Sequence, residues 1–356
     1  MSQNSDNTAI NIKVESPMTD ITLLGIDLAK NVFQLHGVDE KGNPMLRKRL
    51  TRAKLTETVA QLPACTIVME ACSGANYWCR KFTSLGHKTK LISPQFVKPF
   101  VKGNKTDRND SEAICEAASR PSMRFVSPKS VEQEDMQAVH RIRSRLIAER
   151  TALVNQIRGL LTEYGVIIAQ GIHNVRRSLP EILEDAENEL SFTGRELFSD
   201  LQEELLEIDK RIKIYDAKID AIFKSNEACQ RISKIEGIGP ISATAIIAAI
   251  GDPKVFKNGR HFSAFLGLVP KQSSSGNKER LLGISKRGDT YMRGLLIHGG
   301  RSVVRCIGIK DDPRSKWIAT IKERRGTNRA AVAVANKNAR IIWAMLARNE
   351  PYKKAM

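Results

Sequence analysis

No run of about 18 apolar residues, the length a bilayer-spanning helix needs, occurs in the chain, which excludes a transmembrane segment. The six cysteines (Cys65, Cys72, Cys79, Cys115, Cys229 and Cys306) form no CxxC pair and have no nearby Cys/His partner at zinc-ligand spacing. That argues against a zinc site and a disulfide framework, and predicts reduced, mostly buried thiols in a cytoplasmic, nucleoid-associated protein. His36, His87, His140, His173, His261 and His298 share no spacing, and none is assigned to catalysis. The opening MSQNSDNTAINIKVESPMTD lacks the charged-then-apolar layout of a signal peptide and reads as a flexible tail, 1–20. Acid is scarce too: 39 Asp and Glu against 57 Lys and Arg leave a formal net charge of +18. A broad positive potential of this kind suits a polyanion, so nucleic acid is the expected partner.

The 356 residues allow two or three domains, each with its own core. Residues 21–128 alternate short β-rich runs with Gly and Asn-Pro punctuation, then strand–helix–strand units around TIVMEA and KTKLISP. This predicts a mixed sheet flanked by helices, an α/β region. Residues 129–228 carry Leu and Ile at helical spacing. EDMQAVHRIRSRLIAERTALVNQIRGLLTEYG and ELFSDLQEELLEIDKRIKIYDAKIDAIFKS predict two long helices joined by an irregular loop, an antiparallel coiled-coil-like hairpin. Between Glu181 and Asp209 stand eleven acidic residues, so this region suits spacing or self-association better than phosphate contact. Residues 229–356 predict a mainly helical domain. CQRISKIEGIGPISATAIIAAIGDP has the helix-hairpin-helix pattern, which serves equally as a phosphate-binding turn or as a packing corner. From Lys254 onward, Lys and Arg outnumber Asp and Glu more than threefold. ERRGTNRAAVAVANKNARIIWAMLARN predicts a final amphipathic helix, with Arg324, Arg325 and Arg329 available to nucleic acid, while Tyr77 and Trp78 are assigned to core packing.

Four acids stand out against this basic background. Asp27 follows the apolar run ITLLGI and Glu70 follows TIVM, so both are expected at strand ends, where active sites of α/β sheets form. Asp107 and Asp110, three residues apart at the start of a predicted helix, share one helix face. Clustered carboxylates are stable when a cation sits among them, and Mg²⁺, with Mn²⁺ as a substitute, is the expected occupant beside phosphate. Lys102, Lys105 and Arg108 would hold the strand. Downstream, the polar QSSSGNKER stretch reads on composition as a flexible, solvated loop whose neighbours Lys278, Arg280, Lys286 and Arg287 can neutralise phosphate oxygens.

The segments GIDLAKNVFQLHGVD, VMEACSGANYW and KGNKTDRNDSEAI resemble the motifs of DEDD-type insertion-sequence transposases, whose N-terminal domain is similar to the RuvC Holliday-junction resolvase fold. GIGPISATAIIAAIGDPKVFKNGRHFSAFLGLVPKQSSSGNKERLLGISKRGDTYMRGLL resembles the C-terminal transposase domain of the same family; together the matches cover most of 21–305. The resemblance implies a RuvC/RNase H-like fold for the first domain and a DNA recombinase guided by a structured bridge RNA. It also implies a serine nucleophile in a serine–small–small–lysine pattern, best fitted by Ser275-Gly276-Asn277-Lys278. Asn277 replaces the more usual glycine, and Ser274 is the alternative. On this reading Ser275 attacks a DNA phosphodiester to form a covalent intermediate, while Asp27, Glu70, Asp107 and Asp110 hold Mg²⁺ and help the 3′-oxygen leave. The long helices would assemble a dimer or tetramer. Two other readings stand beside it: a RuvC-like junction nuclease in which water attacks, and an architectural nucleic-acid-binding protein without chemistry.

Overall fold

The computed structural model describes residues 20–102, 107–276, 278–309 and 311–353, without side-chain detail for Asp107, Arg108 and Ile309. It separates into two compact units, one ending at Ser130 and one beginning at Val131.

The first unit contains β1 (Leu23–Asp27), β2 (Val32–Val38), β3 (Pro44–Thr51), α1 (Arg52–Ala60), β4 (Thr66–Glu70), α2 (Ala75–Ser84), β5 (Lys88–Ile92), α3 (Pro94–Val97), α4 (Asp107–Ser119) and β6 (Phe125–Val126). The strands form a six-stranded mixed sheet in the order β3-β2-β1-β4-β5-β6. β1, β4 and β5 run parallel, and β2, β3 and β6 pair antiparallel with their neighbours. Alternation along the strands divides the core in two. Leu24, Ile26, Ile67 and Met69 face the cluster completed by Phe33, Trp78 and Phe82, whereas Leu23 and Val68 face the cluster formed with Ala113, Ile114 and Ala117 of α4. Each such fully buried aliphatic or aromatic side chain contributes about 1.5–3 kcal/mol by leaving water.

The β2–β3 turn is held locally. Asp39 Oδ1 accepts from the Asn43 and Lys41 amides at 2.8 and 2.9 Å, and Gly42 takes φ +84. Trp78 is core as expected, edge-on to Phe33 at 5.2 Å. Tyr77 is 45% exposed, because successive helix residues diverge by about 100° and only one of two neighbours can face the sheet.

The second unit contains α5 (Val131–Thr162), α6 (Ile172–Glu184), α7 (Phe192–Ser225), α8 (Glu227–Ile232), α9 (Pro240–Ala249), α10 (Gly259–Phe265), β7 (Pro270–Gln272), β8 (Leu281–Ile284), α11 (Thr290–Arg305), α12 (Pro313–Arg325) and α13 (Thr327–Arg348). The pairs Arg143–Asp216 (2.5 Å) and Arg150–Asp209 (3.1 Å) set α5 and α7 antiparallel. Between them lies the inner stripe of Leu146, Leu153, Ile157, Leu205, Ile208 and Ile212.

Three local expectations are corrected. The segment joining the long helices is not simply irregular: it contains α6, which starts after Gly171 (φ +121) and keeps Pro180 inside. An interior proline costs about 3 kcal/mol, and burying Val175 and Leu179 offsets it, which punctuation alone does not reveal. The final helix is broken at Gly326 (φ +82), so that Arg324 and Arg325 end α12 and Arg329 opens α13. The serine-rich stretch is a hairpin, described below.

At the helix-hairpin-helix turn, Gly237 (φ +86) lies against α11. A Cβ on Gly299 would stand 1.9 Å from the Gly237 carbonyl oxygen, so on this side the turn is a packing corner, while Gly239 faces open space. Behind α9, His140 of α5 is buried with its Nε2 2.9 Å from Thr244 Oγ1 and its Nδ1 3.0 Å from the Tyr291 hydroxyl. Burial first, and Arg143 second, lower its pKa to about 4. Folding therefore favours neutral His140. Its contribution is complete above the unfolded value of about 6.5, declines as pH falls from there, and is lost by about pH 4. Replacing His140 by Gln is expected to flatten the pH dependence of stability in that window by on the order of 3 kcal/mol, measured by denaturant unfolding at stepped pH. An unchanged slope would show that His140 is not the group titrating.

Candidate functional site

Asp27 and Glu70 terminate neighbouring parallel strands. Ile26 pairs with Met69 across β1 and β4, so one residue further along stand Asp27 and Glu70, on strands about 4.8 Å apart. Two residues before each acid the sheet faces α4: Val68 is in the α4 cluster, and Gly25 lies directly under that helix. With a side-chain period of two, both carboxylates belong to the α4 face. After Glu70 the chain turns at once. The Cys72 amide donates to the Glu70 carbonyl at 2.9 Å, and Gly74 (φ +84) starts α2. The Cys72 thiol is pushed up by burial and then by the charges of Glu70 and Asp27, so both carboxylates project their potential onto one point. Carboxylate oxygens converging at strand ends are the donor set that a hard divalent cation takes.

Gly25 lets α4 come this close. A Cβ there would lie 2.7 Å from the Ser111 carbonyl oxygen and 2.8 Å from Cys115 Sγ. The Cys115 thiol donates to the His36 carbonyl oxygen at 3.1 Å and is driven to about 12, chiefly by burial, so it is a packing group and not a nucleophile. Asp107 is the first residue of α4, one turn before Ser111; Asp110 is half-buried in the same turn. The side chains of Asp107 and Arg108, and all of Lys105, lie outside the described residues; Lys102 is exposed. Among the described residues no group of three His, Cys, Asp or Glu could hold a metal ion, so the pair placed together is Asp27 with Glu70.

Ser275 sits at the tip of the β7–β8 hairpin rather than in a flexible loop. The Ser273 amide donates to Arg280 O at 3.0 Å, the Lys278 amide donates to Ser275 O at 3.3 Å, and Gly276 takes φ +56. A serine-rich stretch without β-branched alternation conceals such a hairpin, whose order comes from its root. There Gly267 (φ +71) and Gly288 (φ +80) let the two arms touch: a Cβ on either would be 2.1 or 2.0 Å from a carbonyl oxygen of the other arm. Arg293, buried, donates to Arg287 O at 3.1 Å and Thr290 Oγ1 at 3.0 Å, closing the same root. Ser274 Oγ accepts from the Gln272 side-chain Nε2 at 3.0 Å, and Ser275, Lys278, Arg280, Lys286 and Arg287 are all exposed. Lys278 and Arg280 stand beside the tip and Lys286 and Arg287 at the root, and an exposed hydroxyl on a supported tip can approach a phosphate that a buried one cannot.

Gly25, Cys72 and Arg293 are not marked by the motifs of the chain. A glycine inside the strand LLGID, two residues before the acid, was the available signal for close backbone approach. Nothing in the sequence marks Arg293 as the clasp of a hairpin.

The chain is similar to known transposases along most of its length. Residues 24–166 match the profile DEDD_Tnp_IS110, described as a transposase, and residues 229–316 match the Transposase IS116/IS110/IS902 family. The transposase for insertion sequence element IS1111A of Coxiella burnetii is 52% identical over 94% of this chain and 92% of its own length. A probable family 20 transposase of Pseudomonas aeruginosa is 50% identical over 94% and 99%, respectively. The transposase for insertion sequence element IS1328 of Yersinia enterocolitica is 40% identical over 95% and 100%.

Proposed function

Since the chain belongs to the IS116/IS110/IS902 family of insertion-sequence transposases, enzymes that cleave and rejoin DNA, we propose that its first unit supplies a RuvC-like carboxylate centre and its second unit a serine nucleophile. The observation that carries the carboxylate centre is the adjacency of Asp27 and Glu70 at parallel strand ends, felt jointly by Cys72. The six-stranded mixed sheet with α4 closing one face is compatible with a RuvC-like fold. Asp27 and Glu70, joined by Asp107 and Asp110 from α4, would hold Mg²⁺. When bound, that ion supplies positive charge to the phosphate under attack and to the departing oxygen.

The chain's own groups do the rest. Ser275 Oγ attacks phosphorus, its proton passing to the solvent to which the tip is open, and the 3′-oxygen leaves and takes up a proton. The new phosphoserine bond retains the energy of the broken diester for rejoining. Lys278, Arg280, Lys286 and Arg287 hold the phosphates on either side, and Lys102, Lys105 and Arg108 serve the carboxylate centre. Exposed Ile167, Phe192 and Leu197 around the α5–α7 hairpin support assembly as a dimer or tetramer. The family resemblance adds a structured guide RNA as a partner. Among the described residues no helix is long and apolar enough to cross a membrane.

Incubating the protein with element-end DNA, its guide RNA and Mg²⁺ should yield a protein–DNA adduct stable to denaturant. Ser275→Ala should abolish both adduct and cleavage, with Ser274→Ala retaining them. If Ser275→Ala still cleaves, water is the nucleophile and the serine assignment falls.

A further inference from the structure

A cleft of about 970 Å³ opens in the second unit, walled by α10, the hairpin root, α12 and α13. Four cations line it (Arg260, Arg329, Lys337 and Arg340), and among the described residues no Asp or Glu does. Surface cations ordinarily intermix with acids, so four together around a concavity form a strong local positive potential. Two of the three tryptophans in the chain, Trp317 and Trp343, also line it, both half-buried. The Trp343 indole is fixed by its Nε1 donating to Pro253 O at 3.0 Å, and the Lys337 ammonium lies 4.4 Å from the Trp317 ring centroid. Lys337 is lowered by burial first, then by the neighbouring charges of Arg314 and Arg340, so it stands in a positive local field.

We infer that this cleft seats an unpaired polynucleotide strand, with phosphates on Arg260, Arg329, Lys337 and Arg340 and a base against the Trp343 indole. Bases inside a duplex are already stacked and cannot reach an indole, whereas those of a single strand can. The volume lies at the upper end of the range for enclosed small-ligand sites, about 300–1,000 Å³, and admits a few nucleotides. Leu268, Pro270 and Ile284 of the hairpin root form part of the wall, so a strand in the cleft lies against the support of Ser275. DNA opened during strand exchange and an unpaired segment of a guide RNA offer the same chemistry. The inference rests on the transposase function, which brings nucleic acid to the protein.

The full chain is titrated, by fluorescence anisotropy, with oligo-dT and oligo-U of about 12 nucleotides and with a duplex of the same length. Arg329 and Arg340 are exposed, so the double variant Arg329→Glu/Arg340→Glu preserves the core, checked by an unchanged melting temperature. It is expected to weaken single-strand binding at least tenfold and reduce the salt slope by about two, with duplex affinity changed less than threefold. Trp343→Phe, which keeps an aromatic face, should lose less than the double variant. The preferred arm, dT or U, identifies the strand. Unchanged single-strand affinity, or equal losses for strand and duplex, overturns the cleft assignment. Metal-dependent DNA cleavage is assayed on the same preparations. Cleavage retained by the wild type while single-strand affinity ignores the variant sinks the cleft alone. Selective loss of strand binding in the variant, beside a wild type that cannot cleave, sinks the catalytic proposal and leaves the cleft standing.

Discussion

Asp27→Asn or Glu70→Gln is expected to lower divalent-metal-dependent DNA cleavage by about 10²–10³-fold while DNA binding stays within about threefold. Each change keeps the side chain's shape and removes one negative charge, so the strand ends retain their packing and lose their attraction for a cation. Stripping the metal from the wild type with a chelator should match the combined variant Asp27→Asn/Glu70→Gln, and added metal should rescue only the wild type. A second readout is independent of activity. Glu70 and Asp27 both raise the Cys72 thiol, after burial, so neutralising either should shift the pH dependence of Cys72 alkylation to lower pH. The measurement is made in a Cys306→Ser background, because Cys306 is the other exposed cysteine. Full cleavage by both single variants would remove these acids from the catalytic centre; an unmoved Cys72 profile would show that the two charges do not converge there.

Gly299→Ala is expected to destabilise the second unit by about 3 kcal/mol, lowering its melting temperature by roughly 6–12 °C. Two effects compete. Alanine in place of glycine inside α11 favours the helix by about 1 kcal/mol. Against it, the new methyl would stand 1.9 Å from the Gly237 carbonyl oxygen, and the neighbouring turn is itself held at φ +86. Backbone on both sides leaves no flexible side chain to give way, so α11 must draw back from the turn and open the packing around Met292 and Leu296. Scanning calorimetry decides: a melting temperature unchanged or raised would mean that the turn and helix separate without loss, and that the corner is not close-packed. Gly239→Ala, whose Cβ meets nothing within 4 Å, is the matched control.

The elements were legible where burial enforces a period. Leu24 and Ile26, Ile67 and Met69, and the three-four spacing of Leu205, Ile208 and Ile212 each announce one buried face, and each lies in a core cluster. Legibility failed where long-range contact overrides local preference. The segment joining the long helices looked like an irregular loop and contains α6 with Pro180 inside it, because Val175 and Leu179 gain more by burial than the ring costs. QSSSGNKER looked like a solvated loop and forms a hairpin, because Gly267, Gly288 and Arg293 brace its root from outside the stretch itself.

By itself the sequence determined the charge, the apolar periods and the chemical identity of the candidate groups, since these depend on side chains and their local order. It placed Asp27 and Glu70 at the ends of apolar runs. Only the tertiary structure decided that those two runs lie side by side and parallel, with Ile26 against Met69, because strand pairing joins residues more than forty apart through backbone hydrogen bonds that no local pattern encodes. The same holds for the cleft. Arg260, Trp317, Arg329 and Trp343 are scattered along the chain without common spacing, and helix packing alone brings them to one cavity.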